Sequence, residues 1–218
     1  MDTFQMYEDI KARTNGEIYI GVVGPVRTGK STFIKRFMDV LVLPYMEDEH
    51  AKARTRDELP QSGSGKTIMT TEPKFVPKEA AVIHLQEDLN LKLRLIDCVG
   101  YMVNGATGHL EENAQRMVKT PWFEEEIPFT HAAEVGTRKV IHEHATIGIV
   151  VTTDGTITEI DREAYLEAER KTIMELQNIG KPFVVLVNSK KPYAKEAQET
   201  AGWLEETYGV RALTVNCE

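Results

Sequence analysis

Gly24-Pro25-Val26-Arg27-Thr28-Gly29-Lys30-Ser31 fits G-x-x-x-x-G-K-[ST], a loop pattern that cradles phosphate. Its flanks supply the context the pattern needs. Upstream, Glu17-Ile18-Tyr19-Ile20-Gly21-Val22-Val23 is apolar and β-branched, as a buried parallel strand is. Downstream, Phe33, Ile34, Phe37 and Met38 recur at helical spacing. The competing reading, a glycine turn before an ordinary helix, gives the Lys-Ser pair little structural purpose.

The chemistry follows from that local geometry. Gly24 and Gly29 tolerate backbone angles that side chains forbid, so the amides of Pro25-Val26-Arg27-Thr28 and their neighbours can curl around a phosphate, Pro25 lacking a donor. The helix start, from Lys30 to Thr32, adds the positive end of its dipole. Lys30 is expected on the β- and γ-phosphates, and the Ser31 hydroxyl on Mg²⁺.

A chain of 218 residues with 41% hydrophobic and 28% charged residues suits one large α/β domain. The net charge of −8 argues against a general nucleic-acid binder. Cys98 and Cys217 do not make a disulfide framework, which points to a reducing, cytoplasmic setting. The first residues, MDTFQMYEDIKART, lack the basic-then-apolar order of a signal peptide, and no apolar run approaches the ~20 residues of a membrane span.

Along the chain strands and helices alternate. Residues 3–12 read as a leading helix within a 1–15 extension, and the phosphate-loop helix stops before Pro44. Residues 45–72 are polar and aperiodic, a long loop. Strands are expected at 80–86 and 91–96, which can pair as a hairpin, then at 146–152, 183–187 and 212–216. Helices are expected at 162–179, ended by Gly180, and at 195–208, while 100–143 shows only weak periodicity. This alternation implies a mostly parallel, doubly wound sheet flanked by helices, with its site at the strands' C-terminal edge.

Leu93-Arg94-Leu95-Ile96-Asp97-Cys98-Val99-Gly100 is an apolar strand ending in D-x-x-G. In a strand beside the phosphate-loop strand, Asp97 takes the Walker-B role on the Mg²⁺ shell, and Gly100 can offer its N–H to a γ-phosphate. The alternative for Asp97 is a common strand-ending turn residue. Ser62-Gly63-Ser64-Gly65-Lys66-Thr67 resembles a second phosphate loop, but Pro60 replaces its first glycine and no strand precedes it. Thr70 and Thr71 stand where switch proteins carry a threonine that senses Mg²⁺ and γ-phosphate, so Thr71 joins Ser31 and Asp97 as a candidate metal ligand; simple solvation is the other reading. His131, His142 and His144 lack zinc spacing, and Trp122 and Trp203 read as core or interface residues.

The order of phosphate loop, threonine loop, D-x-x-G and a strand ending in Asn188 resembles the translation-factor class of P-loop GTPases. Those proteins follow the strand with N-K-x-D, whose aspartate reads guanine. Here Asn188-Ser189-Lys190-Lys191 puts a lysine at the reading position, and a lysine cannot accept the guanine hydrogen bonds. The whole chain, through GPVRTGKSTFIKRF, TIMTTEPKFVP, LRLIDCVGYMVNGA and VNSKKP, resembles the nucleotide-binding domain of the stage IV sporulation protein A family. That resemblance implies an ATPase derived from GTPases, whose hydrolysis drives self-assembly into a layer on the outer forespore membrane of the mother cell. It implies a small amphipathic membrane peptide and other spore coat proteins as partners. Members are roughly twice this length, so residues 1–218 are expected to be one P-loop domain of a longer protein that polymerises with the help of its further regions. Lys30, Asp97, Thr70 and Thr71 carry the catalytic roles by that resemblance. Arg27 stands where potassium-activated relatives carry an asparagine; it either supplies a positive charge to the reaction or points outward to an acidic partner.

Overall fold

The computed structural model describes residues 16–60, 72–86, 89–111 and 114–218. Its centre is a six-stranded sheet made of β1 (Glu17–Val23), β2 (Lys74–Gln86), β3 (Leu89–Asp97), β4 (Ile147–Thr153), β5 (Phe183–Asn188) and β6 (Ala212–Val215), in the spatial order β6-β5-β4-β1-β3-β2. β1 lies parallel to both β3 and β4, with Ile20 facing Leu95 on one side and Ile147 on the other. β5 and β6 continue the parallel set, and β2 alone runs antiparallel, as a hairpin with β3. The order reverses beside β1, so the loops after β1 and β3 open on the same edge, at a topological switch point.

Alternation along the strands divides the core into two layers. Ile20, Val22, Leu93, Leu95, Ile149 and Val151 point to the face covered by α1 (Lys30–Phe37) through Ile34 and by the wide turn after it through Met38. Val23, Ile96, Val150, Val185 and Val187 point to the other face. There they meet α3 (Phe129–Lys139) and its wide-turn continuation Val140–His144, α4 (Leu166–Asn178) and α5 (Lys195–Tyr208). Gly21 lets the α3 layer close down, since a Cβ there would sit 2.6 Å from the Ala145 Cβ.

Three expectations change. The stretch 45–72 is not a plain loop: it contains α2 (Glu49–Asp57), whose start is capped by Asp48 Oδ1 accepting from the His50 and Ala51 amides at 2.9 and 3.1 Å. The strand expected at 80–86 begins earlier, at Lys74. The weakly periodic 100–143 holds short two-residue strands and then α3. Gly180, at φ 65°, ends the helix at 162–179 as expected, that helix opening with a 3-10 turn at Arg162–Tyr165. The leading helix expected at 3–12 lies outside the described residues.

Candidate nucleotide site

The loop between β1 and α1 bends through three left-handed residues: Gly24 at φ 131°, Arg27 at φ 65° and Gly29 at φ 91°. Both glycines are fixed by close approach as well as by φ. A Cβ on Gly24 would lie 2.4 Å from the Val151 carbonyl oxygen, and one on Gly29 would lie 2.4 Å from Asn188 Nδ2. Thr28 and Lys30 are buried, with the Thr28 hydroxyl and the Lys30 ammonium donating to the Pro25 carbonyl at 3.0 and 2.5 Å. Burial pulls the Lys30 ammonium below its ordinary pKa, with the neighbouring Cys98 and Asp97 acting the other way. Arg27 lies close enough to the buried Tyr165 hydroxyl to act electrostatically on it.

β3 delivers Asp97 beside α1. Ser31 Oγ donates to Asp97 Oδ2 at 2.7 Å, while the buried Asp97 Oδ1 has no hydrogen-bond partner among the described residues. Burial raises the Asp97 carboxyl above the usual carboxylate range, against the pull of the Ser31 hydrogen bond, Lys30 and Lys74. An orphaned, buried carboxylate oxygen next to a hydroxyl is a poor structural arrangement and a good pair of oxygen donors for a hard divalent cation. These residues therefore fit Mg²⁺, although no group of three or more His, Cys, Asp and Glu side chains able to hold a metal occurs among the described residues.

Beyond β3 the chain lies against the phosphate loop. Val26 N–H donates to the Tyr101 carbonyl at 2.9 Å and Tyr101 N–H to the Gly24 carbonyl at 3.3 Å, so the parallel ladder of β1 and β3 extends past both strands. Gly100, at φ 97°, fits only because it lacks a side chain: a Cβ there would lie 2.2 Å from the Gly24 carbonyl oxygen and 2.7 Å from Lys30 Nζ. Its N–H donates to Thr137 Oγ1 of α3 at 3.2 Å. Tyr101 turns away from the loop, its hydroxyl donating to Glu175 Oε2 at 2.7 Å and its ring lying 4.4 Å from the Lys171 ammonium.

At the end of β5, Asn188 binds the loop rather than standing free toward a base. Its Nδ2 donates to the Thr28 carbonyl at 3.0 Å, and its Oδ1 accepts from Cys217 N–H at 3.1 Å. Beside it, Lys190 and Lys191 line a cleft of about 270 Å³ with Asp154, Thr156, Ser189, Ala194 and Glu196. The structure thus gathers Gly24 to Thr32, Asp97, Gly100 and Asn188 on one sheet edge. Thr70 and Thr71, and the second phosphate-loop-like stretch at 62–67, lie outside the described residues. Sequence reasoning missed Thr137 and Glu175. These three histidines keep to packing: His144 meets Phe75 edge-on, His131 lies tilted against Phe123, and His142 sits 3.8 Å from Glu175. Trp203 is not core, being 42% exposed beneath the Arg162 guanidinium.

A phosphate loop at the switch point of a mostly parallel sheet, with a carboxylate at the end of the neighbouring strand, defines the P-loop class of nucleoside-triphosphate hydrolases. Within that class the chain belongs to the family described as Stage IV sporulation protein A, ATPase domain, whose model matches residues 1–218. It is 55% identical over 218 residues to Stage IV sporulation protein A of Bacillus subtilis (strain 168), covering 100% of this chain and 44% of that protein. The protein of the same name from Clostridioides difficile (strain 630) is 56% identical over 211 residues, 97% of this chain and 43% of the relative. The chain therefore spans less than half the length of these curated relatives. Among solved structures, a probable GTP-binding protein engB aligns with 91% of this chain and 88% of its own at 14% identity and a TM-score of 0.43. A likeness of that size adds nothing to the topology read directly.

Proposed function

We propose that the chain binds ATP with Mg²⁺ and hydrolyses it to ADP and phosphate, as the energy-using domain of a self-assembling spore coat protein. The observation that carries the reading is the Ser31–Asp97 pair, with its unshared Asp97 Oδ1, set against Lys30. Mg²⁺ held by Ser31 and Asp97 would neutralise charge on the β- and γ-phosphates. Lys30 exchanges its Pro25 carbonyl for phosphate oxygens, and the loop amides orient the chain of phosphates for in-line attack. Thr70 and Thr71 close over the γ-phosphate in this reading, Thr71 as a further metal ligand.

Lys191 supports adenine over guanine, because the position lacks the carboxylate that would accept from the guanine edge. Family membership supports the wider role: turnover drives polymerisation into a layer on the outer forespore membrane, in the mother-cell cytoplasm, with an amphipathic membrane peptide and other coat proteins as partners. No described helix is long and apolar enough to cross a membrane.

Binding of fluorescent ATP and GTP, with phosphate release alongside, tests the reading. ATP is expected to bind at least as tightly as GTP, and Lys30→Ala to lose binding or turnover. GTP bound tenfold tighter than ATP, a gap of about 1.4 kcal/mol, would overturn the adenine assignment. A second reading, a nucleotide-gated scaffold that barely hydrolyses, draws on Tyr101, whose hydroxyl is committed to Glu175. Absence of phosphate release under saturating ATP selects it. Arg27→Ala, assayed with and without potassium, separates a catalytic guanidinium from a packing one: only the former gives a loss of turnover that potassium restores.

A further inference from the structure

Gly100 is the residue whose amide a γ-phosphate would claim, and in this structure that amide already has an acceptor on a different element. Its single N–H points to Thr137 Oγ1, 3.2 Å away on α3. Thr137 is fully buried, so water does not stand in for it. Its hydroxyl hydrogen goes to the Ala133 carbonyl one turn back, at 2.7 Å, in preference to the weaker Cys98 sulfur at 3.9 Å. The oxygen is therefore held as an acceptor, with its lone pairs available to Gly100. A side chain on Gly100 would run into the Lys30 ammonium, its Cβ lying 2.7 Å from Nζ, and the β- and γ-phosphates require that ammonium. Thr137 and a third phosphate thus ask for the same hydrogen.

We infer that Thr137 is a positioning residue that competes with the γ-phosphate for the Gly100 amide and biases the site toward the diphosphate. The inference rests on the nucleotide-binding reading above. A diphosphate makes no demand on Gly100, so the Thr137 bond survives its binding. A triphosphate gains the amide only by breaking that bond. Losing the acceptor leaves this buried N–H only the Cys98 sulfur, a weak acceptor, until a third phosphate arrives, which penalises the free and diphosphate states alone. A neutral hydrogen bond of ordinary strength predicts a threefold to tenfold effect on the ratio of the two affinities, roughly.

The test is calorimetric titration of the chain with Mg²⁺ and either ADP or a non-hydrolysable ATP analogue, for the parent, Thr137→Val and Thr137→Ser. Thr137→Val is expected to raise the triphosphate-to-diphosphate affinity ratio by about threefold to tenfold, and Thr137→Ser to keep the parent ratio. A role in packing alone would move both affinities together. A Thr137→Val ratio equal to the parent's, or an equal shift in Thr137→Ser, overturns the inference. Should Thr137→Val not fold, the Gly100 amide resonance of the parent carries the test. It is expected to hold its position on adding ADP and to shift on adding the ATP analogue; the same response to both nucleotides overturns the inference. If the parent binds neither nucleotide, the proposed function falls and this inference with it. If both bind and the ratio is unmoved, only the role of Thr137 falls.

Discussion

Tyr101 directly follows D-x-x-G, where many GTPases of this class place the glutamine that orients the attacking water. Here it is an anchor. It is 4% exposed, its hydroxyl donates to Glu175, and Arg138 and His142 approach the same carboxylate at 3.9 and 3.8 Å. Burial is the main cause that pushes the phenol far above its ordinary pKa, reinforced by the hydrogen bond to Glu175, so Tyr101 remains a donor at every working pH. Tyr101→Phe removes one hydrogen bond to a carboxylate and keeps the ring, which predicts a loss of about 1–2 kcal/mol in urea unfolding and unchanged turnover. A tenfold fall in turnover at unchanged stability would instead put the hydroxyl in the chemistry. Tyr101→Gln is expected to lose stability without gaining rate, because the side chain at this position faces α4 and not the phosphate loop.

Among the elements, Glu169 shows how α4 is tied in. It is fully buried, accepting from Thr152 Oγ1 at 2.5 Å at the end of β4 and from Arg162 Nη2 at 2.8 Å on the turn before the helix. Removing one partner of a buried pair strands the other, so Glu169→Ala is expected to cost about 3–5 kcal/mol, measured by denaturant unfolding. A loss under about 1 kcal/mol would mean that Arg162 finds water instead. The central strands, α1, α4 and α5 were legible because their apolar residues repeat at the period of their own geometry. Neither α2 nor α3 was. α2 is EHAKARTRD, buries only Thr55, and has no apolar face to announce it. α3 buries Phe129, Ala132, Ala133, Gly136 and Thr137, mostly small residues with little hydropathic contrast. The site divides the same way: loop and D-x-x-G are local motifs, whereas Thr137 and Glu175 act across 37 and 74 residues of sequence, where no spacing rule reaches.

For the whole molecule, the site touches the ends of β1, β3 and β5 together, so occupancy stabilises the entire sheet. At a nucleotide concentration a hundred times Kd, linkage predicts about 2.7 kcal/mol of added stability and a Tm rise of roughly 5–10 °C for a domain of this size. Lys30→Ala is expected to abolish the rise while keeping the fold; a rise of equal size in that variant would place the ligand elsewhere. The self-satisfied loop has a consequence in time as well. Lys30 and Val26 already donate to Pro25 and Tyr101, so a diffusing nucleotide meets donors that must first let go of the chain. Entry then waits on a unimolecular step of the protein. In stopped-flow mixing the observed rate should climb with nucleotide concentration and then flatten, rather than rise in a straight line. ADP and ATP should share that ceiling wherever they wait for the same opening, and a straight line to the highest concentration would mean that the loop imposes no delay.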